Sequence, residues 1–172
     1  MYISARSDYA LRAMLAVAAG GGGTTRPDGG TTRSDGGTTR PDGGDGSRPD
    51  GGGELVKAAS LARAQGIPLS FLQGILLDLR RAGLLHSHRG TEGGYALTRP
   101  ASQISVGDVL RAVGGSLTTV RGLPAEDAGY HGVAAGLRDV WLAVDGAIAV
   151  VVDRTTLTDL LTHQEQEQAP AR

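Results

Sequence analysis

The chain has 172 residues, with 17 Lys plus Arg against 18 Asp plus Glu, 28 Gly, no Cys and 3% aromatic residues. That length suits one domain, or one domain with an arm, and the lack of cysteine excludes disulfides, thiolate zinc sites, thiol catalysis and all-cysteine iron–sulfur sites. The longest uncharged apolar runs, Ala13 to Ala19 and Ala147 to Val152, fall far short of the roughly 18 residues of a membrane span, and no basic-then-apolar leader opens the chain; a soluble cytoplasmic protein is expected.

Ser4 can cap a first helix, with Asp8 favourably placed in its first turn. Its apolar face runs through Ala10, Leu11, Met14, Leu15, Val17 and Ala18, and it should stop at the Gly20 to Gly23 run. Residues 24–30 then read TTRPDGG, 31–37 TTRSDGG and 38–44 TTRPDGG, with a degraded copy, DGSRPDGG, at 45–52. The period is seven, but no position is apolar, so no coiled-coil seam can form. The stretch 20–53 is expected to be a disordered insertion in a tolerant loop, since the entropy of closing a longer loop grows only logarithmically. Its glycines are not a phosphate loop, because no Gly-Lys-Ser or Gly-Lys-Thr follows.

A short helix over Ala58 to Gln65, with Leu61 and Ala62 inward, stops at Gly66. Ile67-Pro68 links it to a third helix, Leu69 to Ala82. There Leu72, Ile75, Leu76 and Leu79 form one stripe, which leaves Ser70, Phe71, Gln73 and Gly74 outward. Two helices joined by so short a turn make a helix-turn-helix, whose second helix enters the major groove of DNA. Leu84 to His88 and Tyr95 to Thr98 are strand candidates around Arg89-Gly90-Thr91-Glu92-Gly93-Gly94, a turn in the position of a wing. Val106 to Val113 forms a further helix. A last long helix over Val133 to Val152 carries Val133, Leu137, Val140, Val144, Ala147 and Val151 at spacings of four and three, widened by Trp141 and Ile148. So apolar a seam needs a partner, either the domain's own core or the same helix of a second subunit; a two-fold dimer is favoured.

The fold class is therefore mainly α with a small β-hairpin wing: a winged helix-turn-helix domain followed by a long C-terminal dimerisation helix. Residues 1–121, interrupted at 20–53, form the DNA-binding domain; 122–163 form a sensor-like loop and the dimer helix; 164–172 form a disordered tail. Charge follows the same division. Met1 to Ala19 and Glu54 to Arg121 together hold ten basic and five acidic residues, whereas Gly122 to Arg172 holds three basic and eight acidic ones. The basic part suits a polyanion.

With these residues in view, the chain resembles the winged helix-turn-helix regulators that include IscR, NsrR and CymR. The resemblance rests on YISARSDYALRAMLAVA at 2–18, LARAQGIPLSFLQGILLDLRRAGLL at 61–85, HRGTEGGYALTRP at 88–100, ISVGDVLRAV at 104–113, and VWLAV and TTLTDLL near the end. It implies a homodimeric repressor that reads a pseudo-palindromic operator in double-stranded DNA. Carried over by position, it places Ser70, Phe71, Gln73 and Gly74 on the DNA face of the recognition helix and Arg89 at the wing arginine. The chemistry agrees: Gln pairs with adenine, Ser with base edges or phosphate, Phe with a thymine methyl, and a wing Arg enters the minor groove. Phe71 is equally readable as a packing residue, and Gly74 offers only close approach. The resemblance implies dimer contacts at Val133, Leu137, Val140, Trp141, Val144, Ile148 and Val151, and sulfur metabolism as one candidate regulon.

Two departures from the family stand out. Iron–sulfur members carry three cysteines in the loop before the dimer helix, where this chain reads RGLPAEDAGYHG from Arg121 to Gly132, so no cluster, cofactor or metal is expected. Asp8, at a position where some relatives offer a ligand, reads better as a helix-start residue. His131 is a lone imidazole, and His86 and His88 share a strand face without a third ligand nearby. The second departure is the insertion itself. The loop Arg121 to Gly132 is the place to look for a small-molecule or protein effector, with Tyr130 and Trp141 as candidate aromatic walls, although core packing is the favoured reading of these rings. No Gly-x-Ser-x-Gly, His-Glu-x-x-His or P-loop occurs, so the chain is not read as an enzyme. The competing reading is a winged-helix protein-interaction module that no longer reads DNA.

Overall fold

The computed structural model describes residues 3–21, 55–90 and 93–168. Helix α1 (Ala5–Gly21) starts where Ser4 Oγ accepts the amide hydrogen of Ser7 at 3.1 Å, the expected cap. Ala10, Ala13, Met14 and Val17 are buried on one face at helical spacing. The helix continues through Gly20 and Gly21, past the expected stop: a Cβ at Gly20 would lie 2.8 Å from Val56 Cγ2, so this glycine is part of the packing. The repeats, and the rest of the insertion from residue 22 to 53, lie outside the described residues.

Helices α2 (Ala58–Gln65) and α3 (Leu69–Arg81) are joined by the three residues Gly66, Ile67 and Pro68. Gly66 closes α2 by donating its N–H to Ala62 O, and Ile67 is buried beneath the turn. The stripe of Leu72, Ile75, Leu76 and Leu79 is wholly buried; each such side chain contributes about 1.5–3 kcal/mol of transfer free energy. That stripe fixes the rotation of α3 about its own axis, and with it the face left to solvent.

Strands β1 (Leu85–His88) and β2 (Gly94–Leu97) pair antiparallel, with Leu85 opposite Leu97 and His88 opposite Gly94. Each strand is displaced by one residue from its expected start. Val56 adds a single rung on the other edge of β2, exchanging two 2.9 Å backbone hydrogen bonds with Tyr95. This rung is invisible to pattern reading, because a single paired residue has no periodicity.

Helix α4 (Val106–Gly114) opens on a reciprocal cap between Ser105 and Asp108. Strands β3 (Thr119–Val120) and β4 (Leu123–Pro124) make a small hairpin whose two turn residues, Arg121 and Gly122, both have positive φ. The boundary expected at 121/122 thus falls inside a hairpin turn. The long helix, α5 (Leu137–Arg154), begins four residues later than Val133 and ends two past Val152. Gly132 and Gly136 bracket the delay, leaving Val133 in a single 3-10 turn, Gly132–Ala134, off the helix.

The chain then folds back as α6 (Leu157–Gln168), so the backbone of 164–168, expected in a disordered tail, is helical; 169–172 lie outside the described residues. Ser105 and Thr156 face each other across an antiparallel bridge: Val106 N–H donates to Thr155 O at 2.9 Å, and Leu157 N–H to Ile104 O at 3.0 Å. Leu157 is completely buried in the same core as Met14, Leu72 and Ile104. The C-terminal segment is therefore part of the first module's core.

Candidate nucleic-acid interface

Because the apolar stripe of α3 faces inward, Ser70, Phe71 and Gln73 are exposed, and Gly74 is half-buried with open space where a Cβ would be. Ser70 and Gln73 stand three residues apart on one exposed face of the first two turns. Phe71 does two things. The residue is 40% exposed, yet its ring packs edge to face with that of Tyr9 of α1, with ring centroids 5.8 Å apart. The packing reading of Phe71 is thus met by Tyr9, while the remaining exposed part of the side chain is open to solvent.

The back of α3 is held by an ion pair between Arg6 of α1 and Asp78, which Arg81 approaches at 3.9 Å. Arg12 lies over the Tyr9 ring at 5.6 Å and bonds Gln65 at the end of α2. α1 thereby braces both helices of the helix-turn-helix.

The wing is built by its glycines. Gly93 donates its N–H to Gly90 O at 3.0 Å, and a Cβ on Gly93 would lie 2.4 Å from His88 O, which no side chain tolerates. A Cβ on Gly94 would lie 2.9 Å from the backbone of Val56. Arg89 is exposed at the tip, with Thr91 and Glu92 outside the described residues. His86 and His88 stack edge to face at 5.4 Å, and Arg80 at the end of α3 donates to Ser87 Oγ at 3.2 Å, tying the hairpin to α3. Lys57, Arg63, Arg80 and Arg81 are also exposed on these elements. The sequence pattern does not single them out; their position near helix ends beside the exposed face of α3 is the available signal.

In the loop before α5, Arg121 lies over the Tyr130 ring at 5.3 Å and donates to Gly129 O at 3.2 Å, while Ala125 and Ala128 are buried. Tyr130 is thus packed within the loop, and Trp141 stands on the outer face of α5. That face carries Leu137, Val140, Trp141, Val144 and Val151, all exposed, with Ile148 half-buried. Thr118 donates to Asp145, and Arg111 clasps Asp153 at 2.6 Å, so α5 is pinned to the body by its other side.

The family described as "Rrf2: Iron-dependent Transcriptional regulator" matches residues 49–163. An HTH-type transcriptional regulator of Mycobacterium tuberculosis is 38% identical over 160 residues, covering 93% of this chain and 81% of the relative. CymR of Bacillus subtilis is 32% identical, covering 63% of this chain and 74% of its own. Among solved structures, IscR of T. potens superposes with a TM-score of 0.68 at 26% identity, covering all of this chain and 94% of the other.

Proposed function

The chain belongs to the Rrf2 family of transcriptional regulators, and from that premise we propose that it is a homodimeric, cytoplasmic repressor that reads a pseudo-palindromic operator without an iron–sulfur cluster. Its winged-helix fold matches the IscR structure, and its relatives are named transcriptional regulators, so it is a DNA-binding regulator. The observation that carries the finer reading is the exposure of Ser70 and Gln73 on a helix whose opposite stripe is wholly buried, beside a glycine-built wing bearing Arg89.

Gln73 reads a base edge in the major groove, Ser70 a base edge or phosphate, and Arg89 the adjacent minor groove. The exposed cations on α2, α3 and the wing neutralise phosphates, which makes affinity fall steeply with salt. The exposed stripe on α5 pairs with its own copy, setting half-sites about 34 Å apart. The iron in the family's description does not fit this chain. Its counterpart loop offers Glu126, Asp127 and His131, all exposed, the chain has no thiolate, and no three metal-binding side chains gather among the described residues. CymR is described as the global cysteine regulator of its organism, which makes sulfur metabolism one regulon to examine. The test is genome-wide capture of DNA fragments by the purified protein at moderate salt, followed by gel shifts with wild type and Arg89→Ala. One palindromic motif, bound more weakly by the variant, is the expected result; enrichment no better than random DNA overturns the reading.

A further inference from the structure

A cleft borders the loop in which the sequence suggests a sensor without being lined by it: Thr119, on the cleft wall, pairs with Pro124 of that loop. It has a volume of about 350 Å³ and opens between the first turn of α1, the C-terminal end of α4 and the segment from Ser116 to Thr119. That volume is at the small end of the roughly 300–1,000 Å³ typical of small-molecule sites. Neither Tyr130 nor Trp141 lines it.

We propose that this cleft is the effector site, and that it takes a small uncharged molecule with an aliphatic body and one or two hydroxyl or carbonyl groups. The inference rests on the reading of the chain as a DNA-binding regulator. Leu110 and Leu117 supply apolar wall, and the hydroxyls of Ser4, Ser7, Ser116 and Thr119 supply donors and acceptors. No charged side chain is among the described residues that line it. A charged ligand would gain no counter-charge there, whereas a neutral one needs none and can use the hydroxyls, so the cleft favours neutral ligands.

The position of the cleft gives it a route to DNA. Ser4 and Ser7 form its α1 wall and also hold that helix's first turn, Ser4 Oγ lying 2.9 Å from Ser7 Oγ and 3.1 Å from Ser7 N. Arg6, between them, pairs with Asp78 of the recognition helix, and Tyr9, on the next turn, packs against Phe71. An occupant that draws on the Ser4 and Ser7 hydroxyls competes with the cap that orders this turn. Both braces of the recognition helix leave from the same turn and a half of α1, so the ligand acts on operator affinity through Arg6 and Tyr9.

The test uses the full-length protein, with isoamyl alcohol and hexylene glycol as probes and isovalerate as the charged counterpart. Gly114→Leu blocks the cleft: a Cβ there would meet only Ser7 Oγ, at 3.6 Å, and the glycine has ordinary φ. Leu117→Trp, from the opposite wall, serves the same purpose should Gly114→Leu fail to fold. In amide NMR spectra the alcohols should shift Ser4, Ser7 and Ser116 to Thr119 in the wild type, isovalerate should not, and the blocked variant should bind about tenfold more weakly or worse. The same alcohols should change operator affinity about fivefold or more in the wild type and leave it unchanged in the variant. Shifts that ignore the blocked cleft, equal binding of isovalerate, or operator affinity indifferent to a bound probe would each overturn the proposal. The NMR arm needs no DNA, so a protein that binds the probes in the cleft but no operator retains the site and loses the repressor reading.

Discussion

The ring of Tyr9 meets the ring of Phe71 edge to face, with centroids 5.8 Å apart and planes at 84°, so a residue on the exposed side of α3 is held in place by a helix that begins outside the helix-turn-helix. Edge-to-face pairs of this kind contribute about 0.5–1.5 kcal/mol beyond area burial. Tyr9→Leu should lower stability by about that amount in urea denaturation. It should also weaken operator binding although Tyr9 itself lies on α1, because Phe71 loses its fixed rotamer. Unchanged operator affinity at measurably reduced stability would show that Phe71 does not need this support.

Gln73 and Arg89 should fail in different ways. Gln73→Ala removes an exposed amide from the first two turns of α3 and, on the proposed reading, should cost about 1–3 kcal/mol at one base position per half-site, relaxing preference there. Arg89→Ala removes a cation at the wing tip, and it should reduce the slope of log affinity against log salt by about one per bound wing while leaving the major-groove preference intact. Selection of operators from a random pool, repeated at several salt concentrations, separates the two effects. Identical motif and slope for both variants would place the contact surface elsewhere.

Val144 lies in the middle of the exposed α5 stripe and is 40% exposed in the single chain. A charge there should leave the monomer folded, because the helix is pinned on its other side by Arg111–Asp153 and Thr118–Asp145. Val144→Glu should therefore sediment as a folded monomer and lose operator binding by two or more orders of magnitude, as the two half-sites lose their linkage. A variant that stays dimeric would move the interface off this stripe.

What the sequence reveals is what has periodicity. The stripe Leu72, Ile75, Leu76, Leu79 can be read directly, and because it fixes how α3 rolls, the outward set Ser70, Phe71 and Gln73 comes with it. The wing is readable from Gly93 and Gly94, whose missing side chains are demanded by His88 O and the Val56 backbone. Contacts between distant elements leave no such trace: Tyr9 against Phe71, Arg6 with Asp78, and the Val56 rung join residues separated by an insertion or by two helices. Apolar spacing misplaces the start of α5, because Val133 keeps the spacing while Gly132 and Gly136 break the backbone. The return helix α6 has a readable signal, Thr156-Leu157-Thr158-Asp159, the same cap pattern as Ser105 to Asp108.

That second cap makes a pH prediction. Asp159 accepts hydrogen bonds at 2.8 Å from both the backbone N–H and the hydroxyl of Thr156, and Thr156 Oγ1 accepts the Asp159 N–H at 3.2 Å. The backbone bond, then the hydroxyl bond, with a smaller share from the charge on His163, hold the Asp159 carboxyl below its usual pKa. Folding thus favours the ionised form. Its stabilising contribution is complete above the ordinary carboxylate range and is lost as pH falls through the lowered folded value. Since Leu157, one residue into α6, is completely buried, loosening this cap exposes part of the core. Asp159→Asn should lower Tm at neutral pH and flatten the acid limb of the Tm profile relative to wild type. Thr156→Val, which removes the hydroxyl bond and leaves the carboxyl in place, should flatten that limb to a smaller extent. Parallel acid limbs in wild type and Asp159→Asn would mean that α6 is anchored by Leu157 alone.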